Sequence, residues 1–197
     1  MNDILIPPEI TRICCVSGHI FLLAGILFLC KNGGFIFGCL LILLYITTIL
    51  LWKCLAVDTF YRTVDRFMVF AVTVYSAVYF YALLPFYIYI QYLCVFIVAG
   101  SLFYANETWY FYCIEQPKIW EEYGEHTYLH PLIKMETEKR RGVVLRLDDK
   151  TQQLIQKYLY PIISHNRING YYMNVCIHAI FVHLLVGISI IYVGVYY

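Results

Sequence analysis

The sequence predicts an all-α protein, a polytopic transmembrane helical bundle of about five spans carrying a polar cytosolic insert. Three observations predict it. Hydrophobic residues make up 61% of the 197-residue chain and charged ones only 14%, whereas soluble globular chains sit near roughly 45–50% and about 25%. Uncharged runs long enough to cross a bilayer recur along the chain. The charges between them are gathered into one internal segment and a few short joints. A net charge of +1 gives no footing for nucleic acid. Heavy use of Tyr (20) and Phe (13) suits rings packed in lipid and at its interfaces.

The elements follow in order. Residues 1–12 are a short tail ending at Arg12. Residues 13–30 form an uncharged run just long enough to span a core of about 30 Å at about 1.5 Å per residue. An acidic opening containing Pro7 and Pro8, with no cleavage motif after the first run, argues for a retained span and against a removable signal peptide. Lys31, Asn32, Gly33 and Gly34 read as a turn. Residues 35–52 form a second run closed by Lys53. A polar elbow then carries Lys53, Asp58, Arg62, Asp65 and Arg66. The next uncharged stretch is about twice a bilayer core as one helix, so it must fold back. Leu84-Pro85 is the natural break, because proline disrupts a helix and restricts the residue before it. Spans three and four are therefore expected at 67–83 and 86–104.

The chain thus divides into a four-span membrane region (1–105), a polar insert (106–170) and a last span (171–197). Trp109, Tyr110, Tyr112 and Trp120 at the start of the insert look like an interfacial anchor. Apolar residues at 147, 154, 155, 158 and 159 suggest an amphipathic helix over 145–160, on the membrane surface or packed against the bundle. Lys139, Arg140 and Arg141 could meet anionic headgroups, although the adjoining Glu136 and Glu138 also fit ordinary solvated charge.

Five spans put the tail, the elbow and the insert on one side. All of the fourteen Lys and Arg residues except Lys31 fall there. The positive-inside rule makes that side cytoplasmic and leaves the C-terminus opposite. The acceptor triplet Asn106-Glu107-Thr108 then faces the wrong side for glycosylation. Eight cysteines are scattered, mostly within apolar runs and without a CxxC pair, which fits buried thiols acting as small hydrophobes.

Ionisable side chains inside spans are expensive, and each is a functional hypothesis. His19 lies in the first span, His178 and His183 in the last, and Asp65 at the mouth of the third. Neutral histidine is the commonest metal ligand, and a carboxylate can orient a ligand or a metal-bound water. Each also has a plainer role. Asp65 in a first helical turn would favour the helix dipole by about 0.3–1 kcal/mol, and His19 could simply bond a neighbouring helix. His178 and His183 would stand about 140° apart on an α-helix, so joining them needs a π-bulge or kink that no residue demands. His126 and His130 have ligand spacing but sit in a polar segment as surface histidines. Nucleophile elbow, phosphate loop, HExxH and dinucleotide fingerprint are all missing, and no span has the polar stripe of a transporter or channel.

The order of these features resembles the membrane hydrolase superfamily of alkaline ceramidases, progestin and adipoQ receptors and hemolysin III-like proteins. Glu9 with Ser17-Gly18-His19 is similar to the family's early helix. Tyr61-Arg62-Thr63-Val64-Asp65-Arg66, followed by Val74-Tyr75-Ser76, is similar to its aspartate helix, and His178 through His183 to its final histidine pair. The resemblance implies a zinc ion held by three histidines, with Asp and Ser assisting a zinc-bound water. The departures are specific: the family's Ser-x-x-x-His falls on Thr48 and Trp52, the final pair is spaced five instead of four, and seven spans become five. An incomplete set favours a membrane protein with no chemistry of its own, acting in assembly, interaction or lipid contact, with the bilayer as partner. The alternative is a diverged zinc-dependent lipid amide hydrolase, with Asp65 catalytic and His178, His183 and His19 as ligands.

Overall fold

A computed structural model describes residues 8–53, 59–110, 147–162 and 167–196. Lys139, Arg140, Arg141, His126, His130, Tyr112 and Trp120 lie outside the described residues. The elements are α1 (Pro8–Leu29), α2 (Phe35–Lys53), α3 (Thr59–Leu83), α4 (Phe86–Tyr110) and α5 (Asp149–Ile162). A last continuous helix comprises α6 (Arg167–Ile177), a π-helical segment (His178–Leu184) and α7 (Leu185–Tyr196). Five helices are long and apolar enough to cross a membrane: α1, α2, α3, α4 and the last one. The chain is an integral, multi-pass membrane protein, and the described residues contain no strand.

Local chemistry explains the boundaries. Pro8 opens α1 where its missing N–H costs nothing, and Glu9 complements the helix dipole in the first turn. The turn before α2 needs Gly33, which sits at φ +79°, a region that disfavours side chains. The hairpin between α3 and α4 breaks at Leu84-Pro85 as the proline predicts. Leu84 N–H closes α3 onto the Phe80 carbonyl at 2.9 Å, and Ile88 and Tyr89 N–H open α4 on the Pro85 carbonyl at 3.0 Å.

Three expectations are corrected. The third helix opens at Thr59 and its candidate span at Thr63, both before residue 67, so the helix includes part of the elbow. Helix α4 continues to Tyr110, so Asn106 to Tyr110 are span and not insert. Its polar groups stay because they are satisfied: the Asn106 amide donates to the Asn174 carbonyl at 3.0 Å, and the Thr108 hydroxyl donates to the Tyr104 carbonyl at 2.6 Å. Trp109 and Tyr110 are buried in the protein and are not an interfacial anchor. Trp109 donates to the Asn106 side-chain oxygen at 2.9 Å, and Tyr110 packs near Tyr171. The same burial closes Asn106 to a glycosyl group.

Helix α1 is central, packing on α2 and on the last helix; α3 lies outside α2, and α4 lies against the last helix. α1 and α2 approach closely at Gly38, where an added Cβ would stand 2.8 Å from the Leu29 nitrogen. Small residues let membrane helices meet this way. Towards the hairpin end the core is a lattice of rings. Phe37 lies 4.8 Å from Phe28 and 5.4 Å from Phe80, and Phe80 lies 4.8 Å from Tyr92. The other end holds a smaller core of Ile10, Cys14, Trp52, Val175 and Ala179, and it is there that the polar side chains collect.

Candidate functional site

The site begins with a change of helical pitch. Over His178–Leu184 the last helix is π-helical, and the Leu185 N–H donates to the Ile180 carbonyl five residues back. Each turn there holds an extra residue, so side chains five apart come under one another. His178 and His183 accordingly meet edge to face, with ring centroids 4.9 Å apart. The bulge left open by the sequence is present.

His183 is 3% exposed, and its Nδ1 lies 2.7 Å from the Ser17 hydroxyl of α1. Ser17 donates its own proton to the Cys14 carbonyl at 3.2 Å. A neutral His183 with its proton on Nδ1 would satisfy both contacts at once, the Ser17 oxygen accepting from the ring while its hydrogen goes to Cys14. Phe21, one turn on from Ser17, packs edge-on to the same ring at 5.6 Å. His178 is walled by aromatics as well: Trp52 of α2 at 5.0 Å and Phe103 of α4 at 5.7 Å.

Asp65 sits apart from the first turn of α3, which contains no acidic residue. It is not a helix-opening device. Its Oδ1 accepts from the Thr48 hydroxyl at 3.0 Å and the Thr47 hydroxyl at 3.3 Å, tying α3 to α2. Thr48 and Trp52 are both buried and one turn apart on α2, about 6 Å along its axis. The face of α2 that holds Asp65 therefore also carries the ring against His178. Thr48 further packs its methyl group against Gly18, beside Ser17. All five spans contribute to this end of the bundle.

The structure does not bring His19 to the histidine pair. Its ring is exposed, with Nδ1 donating to the Cys15 carbonyl at 2.9 Å. That leaves Nε2 to accept from the Tyr45 hydroxyl at 3.3 Å, so its lone pair is already engaged. Sequence reasoning placed Asn106 in the insert and passed over Asn174, although an asparagine inside an apolar run is itself a signal. It also missed the aromatic walls of Phe21 and Phe103, which nothing in a run of rings distinguishes.

In comparisons with known proteins, no family model, no curated protein and no solved structure matches this chain.

A catalytic zinc takes three protein ligands and an open position. His178 and His183 could supply two. Trp52, which falls where the resemblance would put a third histidine, packs against His178, and its indole nitrogen carries a proton and cannot ligate. Among the described residues no three His, Cys, Asp or Glu side chains come together to hold a metal. Those residues do not fit the three-histidine site that the resemblance implies.

Proposed function

We propose that this multi-pass membrane protein has no metal chemistry of its own and acts in membrane assembly, interaction or lipid contact. The observation that carries the reading is Trp52, where the resemblance would put a third histidine, packed against His178. In this reading the histidine pair, Ser17, the two threonines and Asp65 are interhelical ties. In lipid such hydrogen bonds contribute about 0.6–2 kcal/mol each.

A second reading, the diverged zinc-dependent lipid amide hydrolase, draws on the π-turn. One residue inserted into a pair spaced by four is absorbed by one widened turn, so the five-residue spacing does not separate the histidines. Asp65 held by Thr48 also suits the family's Asp and Ser. This reading needs a third donor from outside the described residues.

Metal analysis of the purified protein in mild detergent tests both. The expected result is no stoichiometric zinc in the natural chain, and a gain towards about one zinc per chain in Trp52→His. Stoichiometric zinc in the natural chain that vanishes in His183→Ala would overturn the first reading. We further infer, from the distribution of Lys and Arg, that the N-terminus and the segment between α4 and the last helix are cytoplasmic, with anionic headgroups as partners for Lys139, Arg140 and Arg141. A thiol placed beside Lys139 should react with an impermeant reagent only after the cytoplasmic face is opened; reaction from outside intact cells would invert the topology.

A further inference from the structure

Helix α5 is the one described helix that is not a span, and no described helix packs extensively on it. Leu154, Tyr158 and Ile162 recur every four residues along it and stand 55%, 66% and 66% exposed. On an α-helix that spacing makes one stripe. Gln153 and Asp149 fall on the far side, at about 140–180° from the centre of the stripe, and both are exposed. Lys150 and Lys157 project at about 80–100° from that centre, along one edge, where long basic side chains can reach past an apolar layer to phosphate.

Chain length limits what can cover this stripe. Only residues 163–166 separate the end of α5 from the start of the last helix at Arg167. Five Cα steps reach at most about 18 Å, and the membrane span itself begins at Asn169. An exposed apolar face is thus tethered beside the point where the chain enters lipid.

We propose that α5 lies in the plane of the membrane interface, with Leu154, Tyr158 and Ile162 turned into the bilayer and Gln153 and Asp149 turned to water. Its partner is the headgroup–acyl boundary of the bilayer that holds the spans, and apolar burial, not charge, drives the contact. Asp149 offsets one of Lys150 and Lys157, so anionic lipid is not required. An apolar face of this kind sits about 5–10 Å into the boundary. The proposal is independent of what the histidine pair does.

The test uses the full chain in phosphatidylcholine nanodiscs. A ketone-bearing residue is introduced singly at 149, 153, 154 or 158 and given a nitroxide, which leaves the native thiols untouched. The expected outcome is greater collision with oxygen than with a water-soluble nickel chelate at 154 and 158, and the reverse at 149 and 153. Nickel access at all four positions would overturn the proposal. So would labels at 154 and 158 that are immobilised and shielded from both colliders, because protein would then cover the stripe. A pattern that appears only with anionic lipid would overturn the apolar driving force.

Discussion

The two ends of the bundle are held together differently. At the hairpin end, Phe28, Phe37, Phe80 and Tyr92 interlock as rings. At the other, Ser17, Thr48, Asp65, Asn106 and His183 are joined by directed hydrogen bonds between helices or across turns. Lipid tails are as apolar as any core, so burying a ring from lipid gains little from the hydrophobic effect. What the aromatic end has over lipid is shape, through dense contact and edge-to-face geometry. What the polar end has is direction, through donors and acceptors that pair across helices. Truncation should therefore harm the first end most, and loss of a single polar atom should harm only the second.

The largest separation of the two comes from Phe37→Ala. Phe37 is fully buried among Phe28, Tyr75, Tyr79 and Phe80, and its removal should cost about 3 kcal/mol or more by the cavity it leaves. Equilibrium unfolding in mixed micelles reads this directly; a loss below that of any polar substitution would refute the division. His183→Ala comes next, at about 2 kcal/mol, since it removes the bond to Ser17 together with ring contacts to His178 and Phe21. The smallest effect sharpens the polar end. Thr48→Val, which keeps the shape and deletes the 3.0 Å bond to Asp65, should cost about 1 kcal/mol. Thr47→Val should cost only a few tenths, because the Thr47 proton is shared with the Leu44 carbonyl and its reach to Asp65 is 3.3 Å. Equal costs for the two threonines would mean that Asp65 is not held through Thr48.

The aromatic end was largely legible in the sequence. Uncharged runs fixed the spans, and Pro85 located the hairpin, because both signals are local. The polar end was legible only as a set of residues. His178, His183 and Asp65 stood out by their chemistry, but their arrangement depended on pitch and on partners in other helices. Nothing between His178 and His183 announces a π-turn, and the segment's neighbours in α1 and α4 are far away in the chain. Asp65 was placed at a helix mouth because the charges of the elbow resemble a loop, whereas α3 begins at Thr59 and hides the carboxylate's partners in α2. Trp109 and Tyr110 were read as facing the interface because indole and phenol rings favour it, and Asn106 gave the indole a partner inside.

The widened turn at His178–Leu184 also makes that point of the chain uncommonly forgiving of a change in length. Removing one residue from an ordinary transmembrane helix rotates everything beyond it by about 100° and drags its inward face into lipid. Here the surplus residue is already looped into the turn. Deleting the lipid-exposed Ile180 should let the segment relax to regular pitch with Ile190 and Val193 still facing α1, and should leave the two histidines four apart. The same deletion at Ile188, beyond the turn, should abolish folding. In the last helix, then, the π-turn is where the chain should be able to lose a residue without losing its phase.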